Sequence, residues 1–216
     1  MNNDKEIFEK VYETPGAIWT HTEPPEELVG LVETKKIEPC KVIDVGCGEG
    51  SYSIYLAKKG FDVLGIDISE QAIEYAKQNA KNAGVKIRFI VMDLNDLAEL
   101  KEKFDFVLEW AILHCIPFEK RKKYIESISK LLNDDGNYLS LCFNEQDAKF
   151  DVPGKKIRTV PEEARAITGG TLYFSSLVEL KELFEPHFKI IENKVFEKIG
   201  AANRLNVWNY FFMKKI

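Results

Sequence analysis

The chain has 216 residues, 45% hydrophobic and 30% charged, with 30 Lys and Arg against 35 Asp and Glu for a formal net charge of −5. That balance excludes a disordered chain and suits one folded domain with a sizeable core. An acidic surface disfavours nucleic acid as a partner, and no apolar run reaches the roughly 18 residues of a membrane span. The polar start MNNDKEIFEK lacks the order of a signal peptide, so a cytoplasmic protein without a membrane partner is expected.

Residues 1–40 carry Pro15, Pro24, Pro25 and Pro39 and one expected helix, around Glu26–Thr34. From Lys41 the pattern alternates. Short apolar runs at Lys41–Val45, Val63–Ile66, Ile87–Met92, Phe104–Leu108 and Tyr138–Phe143 read as strands covered on both faces. Between them lie helical stripes. Ala72, Ile73, Ala76, Ala80 and Ala83 follow Ser69, a good N-cap, and stop at Gly84. Phe118, Tyr124, Ile125, Ile128, Leu131 and Leu132 form a second stripe that ends in the turn residues Asn133–Gly136. Ser176 and Glu179 make a possible capping box for a third helix reaching about Phe184. Phe188–Phe196 and Asn206–Met213 read as two tail strands able to pair as an antiparallel hairpin.

This order predicts an α/β fold: a doubly wound, mostly parallel seven-stranded sheet with helices on both faces and an antiparallel C-terminal hairpin. The chain reads as a single domain over 1–216, with 1–40 covering the site and the polar 144–172 stretch as a substrate lid.

The first strand runs into Asp44-Val45-Gly46-Cys47-Gly48-Glu49-Gly50 and then a helix-like segment. Glycines there let the backbone turn sharply and approach a ligand. A dinucleotide fingerprint would need glycine at position 51, which is Ser51. Asp44 would repel a pyrophosphate but could hold an ammonium. Asp67 and Asp93 end the second and third runs on the same rim, where acids can accept from ribose hydroxyls and from the adenine amine. Four scattered cysteines and three distant histidines, His21, His114 and His187, give no metal-ligand spacing, so no metal is expected.

Together these segments resemble the class I S-adenosylmethionine-dependent methyltransferases. Asp44–Gly50 is similar to their first motif, Ile66-Asp67-Ile68 to the second and Met92-Asp93-Leu94 to the adenine-contacting third. Phe104–His114 is similar to the fourth-strand motif, and Leu131–Gly136 to the turn before the fifth strand. The resemblance implies a Rossmann-like enzyme that takes S-adenosylmethionine, releases S-adenosylhomocysteine and methylates a small-molecule acceptor. It implies that Asp44 and the backbone of Gly46, Cys47, Gly48 and Gly50 hold the methionine end. Asp67 would bind the ribose, Ile68 would lie against adenine, Asp93 and Leu94 would bind the adenine edge, and Glu109 would lie beside the methionine moiety. Ile18–Val29 also resembles the N-terminal segment of the thiopurine and halide/thiol methyltransferases, which gives Trp19 a part in covering the cofactor.

His114, five residues past Glu109, is the candidate general base toward the acceptor. Cys47 reads as a small filler in the loop. Lys120–Lys123 reads as a solvated helix face, and Arg158 and Arg165 as exposed charges within reach of an anionic substrate. The competing readings are a methyltransferase acting on RNA or protein, a nicotinamide-dependent oxidoreductase, and a non-catalytic S-adenosylmethionine-binding protein.

Overall fold

The computed structural model describes residues 3–13, 15–17, 23–161, 164, 169–199 and 205–216, in two compact units that divide after Asp93. Among the described residues no helix is long and apolar enough to cross a membrane.

The first unit holds α1 (Asn3–Val11), α2 (Glu26–Glu33), β1 (Lys41–Val45), α3 (Ser51–Lys58), β2 (Asp62–Asp67), α4 (Glu70–Asn82) and β3 (Arg88–Val91). β2 lies between β1 and β3, parallel to both. α4 forms where its cap and its apolar stripe agree. The Ser69 hydroxyl accepts from the Ala72 amide at 3.0 Å, and Ile73, Ala76 and Ala80 bury one face with Phe89 of β3. Gly84 closes the end at φ +70°.

Residues 1–40 contain a helix beyond the one expected. α1 is held by its partners: the Glu9 carboxylate accepts from the Ser69 hydroxyl at 2.9 Å and the Glu70 amide at 2.6 Å, at the N-terminus of α4. A carboxylate satisfies free amides there and complements the positive end of the helix dipole. Tyr12 packs beside it with Ala17 and Ala72.

The second unit holds a 3-10 turn (Leu94–Glu99), β4 (Phe104–Trp110), a second 3-10 turn (Leu113–Cys115), α5 (Phe118–Leu131), β5 (Leu132–Phe143), β6 (Ile157–Thr159), β7 (Thr171–Tyr173), α6 (Leu177–Phe184), β8 (Phe188–Ile199) and β9 (Leu205–Lys215). Its order is β4-β5-β9-β8, with β4 parallel to β5 and the β5–β9 and β9–β8 pairs antiparallel. The first unit holds three parallel strands and this one four of the mixed kind, and β8–β9 is the expected hairpin. The Ser176–Glu179 capping box is fully formed.

The turn residues Asn133–Gly136 lie inside β5. Phe104 pairs with Leu132 but Phe106 pairs with Asn137, so the extra residues bulge outward. A Cβ on Gly136 would meet the Asn133 carbonyl at 3.0 Å, which is why a glycine stands there.

Two arginines depart from the sequence reading. Arg158 is 1% exposed. Its guanidinium donates to the carbonyls of Lys155, Asp147, Lys149 and Glu145 at 2.6–3.0 Å and lies 3.7 Å over the Phe174 ring. Arg121 is also buried, donating to the Ile116 and Tyr173 carbonyls and the Ser175 hydroxyl. The planar fork of arginine suits such multiple recognition of carbonyls. Neither is the solvated charge expected of it, whereas Arg165 lies outside the described residues.

Candidate functional site

In the first unit the glycine loop follows the buried end of β1. Gly46, Gly48 and Gly50 all have positive φ, at +72°, +53° and +81°. The amides of Gly46 and Cys47 donate to the Ile66 carbonyl at 2.8 and 2.9 Å, so the loop folds back over the end of β2. A Cβ on Gly50 would press on Phe89 and Ala76 at 3.0 and 3.1 Å, and one on Gly48 would meet the Tyr12 hydroxyl at 2.8 Å. Both glycines therefore permit close approach as well as the turn.

Two carboxylates line this loop. Asp44 is buried, accepts from the Ser53 hydroxyl at 2.6 Å, and is pushed up to about 7 by burial, with Asp67 adding repulsion. Asp67 accepts from the amides of Gly48 at 2.9 Å and Ser69 at 3.0 Å. Burial lifts its carboxyl above the ordinary range, and Glu9 adds to the lift. The Cys47 thiol is raised well above its usual value by burial, which fits a filler and not a nucleophile. Ile68 and Asp93 are half-buried at the ends of β2 and β3.

Glu49 is a site residue that the sequence reading passed over. Its Oε1 accepts from the amides of Gly16 at 2.8 Å and Ala17 at 3.1 Å, and Asn79 holds its carbonyl at 3.0 Å. The available signal was an acid inside a glycine loop, where a carboxylate needs donors. Trp19 lies outside the described residues, as does the whole segment from Ile18 to Thr22.

In the second unit Leu94 is half-buried and opens the first 3-10 turn. Glu109, at the end of β4, is fully buried. Its Oε1 accepts from the Ile112 and Leu113 amides at 3.2 and 3.0 Å, and its Oε2 from the Tyr138 and Ser140 hydroxyls at 2.7 and 3.0 Å. All four partners lie within the unit, and burial raises the carboxyl to about 7 despite them. The clamp fixes the turn that delivers His114, through Ala111 at φ +65°.

His114 is 5% exposed, and its Nδ1 has no hydrogen-bond partner among the described residues. Its ring lies 4.3 Å from that of Phe143 and 6.1 Å from that of Trp208. Burial, followed by Lys149 and Arg121, holds the imidazole well below its usual value, so it is neutral. No group of three or more His, Cys, Asp or Glu able to hold a metal occurs among the described residues.

The first unit fits S-adenosylmethionine. Asp44 and Asp67 are buried carboxylates that repel one another, and no Lys or Arg among the described residues is paired with either. A ligand carrying an ammonium and a sulfonium relieves that repulsion, whereas a pyrophosphate would add to it.

Residues 37–198 match a family model described as a methyltransferase domain. A 2-heptyl-1-hydroxyquinolin-4(1H)-one methyltransferase from Mycobacteroides abscessus is 29% identical over 168 residues, covering 74% of this chain and 74% of its own. The probable S-adenosyl-L-methionine-dependent methyltransferase TehB of Haemophilus influenzae is 30% identical over 119 residues, 55% of this chain, and the match spans only 40% of that relative. Among solved structures, 1,6-didemethyltoxoflavin-N1-methyltransferase from Burkholderia thailandensis, with bound 1,6-didemethyltoxoflavin and S-adenosylhomocysteine, superposes with a TM-score of 0.75 at 20% identity, over 98% of this chain and 86% of that one. TehB from Haemophilus influenzae gives 0.72 at 20% identity, over 92% and 64%.

Proposed function

The chain belongs to the methyltransferase-domain family and is an S-adenosylmethionine-dependent methyltransferase, and on that premise we propose that it methylates a small-molecule acceptor. The relatives named for a hydroxyquinolinone and for a toxoflavin precursor support a small acceptor. A net charge of −5 disfavours an RNA acceptor. The four cysteines are free thiols, which suits a reducing cytoplasm.

The observation that carries the cofactor roles is the buried acid pair, Asp44 and Asp67, around a loop of positive-φ glycines. Asp44 takes the ammonium of the methionine end, and the Gly46–Gly50 backbone, with Cys47, Gly48 and Gly50, shapes its seat. Asp67 accepts from the ribose hydroxyls, because each of its oxygens keeps a lone pair beyond its amide bond. Ile68 packs on the adenine, and Asp93 and Leu94 meet its edge. Trp19 keeps its proposed part as a cover. Glu109 acts through the turn it clamps and not through a free carboxylate.

S-adenosylmethionine supplies an electrophilic methyl group on a sulfonium. What the chain adds is orientation and exclusion of water, which suffice for a competent nucleophile. For an acceptor that arrives protonated, we take neutral His114 as the base that receives its proton. In the 144–172 stretch, the bonds of Arg158 and Asp147 support a fixed wall over residues 144–160.

Calorimetry and thermal unfolding test this reading. S-adenosylmethionine and S-adenosylhomocysteine should bind and raise the melting temperature, NAD should not, and Asp67→Ala should lose the binding. Undiminished affinity in Asp67→Ala, or no affinity in the unmodified protein, overturns it. Labelled methyl transfer to a small-molecule panel then separates an enzyme from a binding protein.

A further inference from the structure

We propose that Arg121 is a positioning residue for methyl transfer: its guanidinium holds the turn that carries His114 and ties that turn to the strand end against which the imidazole packs. The inference rests on the reading of His114 as the base and adds the device that places it.

The turn is held at both ends. In front of His114, Glu109 Oε1 accepts from the Ile112 and Leu113 amides. Behind it, Arg121 Nε donates to the Ile116 carbonyl at 2.9 Å. His114 stands between these anchors, on a 3-10 turn of three residues. Arg121 is 3% exposed, and its hydrogen bonds among the described residues all go to uncharged oxygens. A cation is costly to bury in such company. What it adds over an apolar side chain is a planar fork that reaches several segments at once.

The other arms of the fork reach the wall beside the imidazole. Nη1 donates to the Ser175 hydroxyl at 2.6 Å and Nη2 to the Tyr173 carbonyl at 3.0 Å. The Ser175 amide donates to the Phe143 carbonyl at 3.2 Å, and the Ser175 carbonyl accepts from Asn209 Nδ2 at 2.9 Å. The same Asn209 nitrogen donates to the Phe143 carbonyl at 3.3 Å, and its Oδ1 accepts from Asn144 at 2.8 Å. Ser175, Asn209 and Asn144 are all buried. Phe143 carries the ring that lies 4.3 Å from the His114 imidazole. One guanidinium is therefore joined to the backbone two residues past His114 and, through one serine, to the residue that His114 packs on.

His114 depends on such indirect placement. A histidine base is ordinarily oriented by a hydrogen bond to its second ring nitrogen. His114 Nδ1 has no partner among the described residues, so the turn and the Phe143 ring set the orientation.

NMR of the His114 imidazole protons, assigned by their absence in His114→Gln, tests the placement. In the parent the neighbouring Phe143 ring should shift them away from the values of an unfolded histidine. Arg121→Met should return them toward those values. Arg121→Lys keeps the charge without the fork and should do nearly the same. Ser175→Ala removes one arm, covers the case in which Arg121→Met fails to fold, and should move them less. Labelled methyl transfer links placement to reaction. At about pH 8 a phenol, with its pKa of ~10, arrives protonated, whereas an aryl thiol arrives ionised. Arg121→Met should slow transfer to 2-naphthol about tenfold or more and transfer to thiophenol less than about twofold. Unmoved imidazole signals, parental signals in Arg121→Lys, or equal slowing with both acceptors overturns the proposal. With neither acceptor turned over, the signals alone decide it. Undiminished transfer to 2-naphthol in His114→Gln counts instead against His114 as the base.

Discussion

Glu49 and Gly16 are joined across 33 residues of sequence: one oxygen of the Glu49 carboxylate accepts the Gly16 amide at 2.8 Å and the Ala17 amide at 3.1 Å. The glycine loop thus grips the segment that follows α1, while Glu9 fastens α1 itself to the head of α4. Hydrogen bonds to a charged group contribute about 1.5–3 kcal/mol. Glu49→Ala should weaken S-adenosylhomocysteine binding about tenfold or more, and Glu49→Gln, which keeps one acceptor oxygen, should lose less. Calorimetry on the two variants measures this, and equal affinities would detach the grip from cofactor binding.

Gly48 and Tyr12 should be energetically coupled. Gly48→Ala places a methyl 2.8 Å from the Tyr12 hydroxyl at φ +53°. The left-handed conformation alone costs about 1–2 kcal/mol with a side chain. Removing the hydroxyl leaves the nearest other Tyr12 atom at 3.8 Å, an ordinary contact. Urea unfolding of Gly48→Ala, Tyr12→Phe and the double variant should show Gly48→Ala costing less in the Tyr12→Phe background.

Asp44 makes cofactor affinity depend on pH. Its carboxyl stands at about 7 in the free protein, and gripping an ammonium requires the ionised form. Affinity for S-adenosylhomocysteine should therefore fall as pH drops below about 7, approaching tenfold per unit, and level off above it. Asp44→Asn should bind weakly and lose this slope. Titrations from pH 5.5 to 8.5 (chosen to bracket the about 7 of Asp44) measure it.

Glu109 should act on stability with the opposite slope to an ion-paired carboxylate. Burial raises it to about 7, above the ~4.3 of an unfolded glutamate. The folded chain holds a proton that the unfolded chain releases between those values. This contribution is full below about pH 4.3 and falls as pH rises to about 7. Glu109→Gln, which resembles the protonated acid, should flatten that part of the stability curve. Glu109→Ala should cost about 3 kcal/mol or more by stranding buried donors.

Much of the frame was legible because its signals are local. Apolar runs separated by capped helices gave the strands, and the Ser69 and Ser176 caps stand where the pattern placed them. The acids at strand ends and the glycine spacing carried the family. What escaped reading depends on partners far along the chain. Arg121 sits in a run of lysines that looks solvated, yet it meets Ser175 across 54 residues. α1 lies in a proline-bearing segment, and its stabilising contact is Glu9 with Ser69, 60 residues away. His114 could be named, but not its neutral state, nor that its Nδ1 lacks a partner among the described residues, which depends on Phe143 and Trp208 packing beside it.

Arg158 has a practical consequence for anyone exchanging loops between related enzymes. The four carbonyls it gathers all come from residues 145–155. That stretch is a cassette wound around its own guanidinium. A graft that transplants residues 145–155 and leaves position 158 behind would carry the shell without its hub, so the junction belongs beyond Thr159.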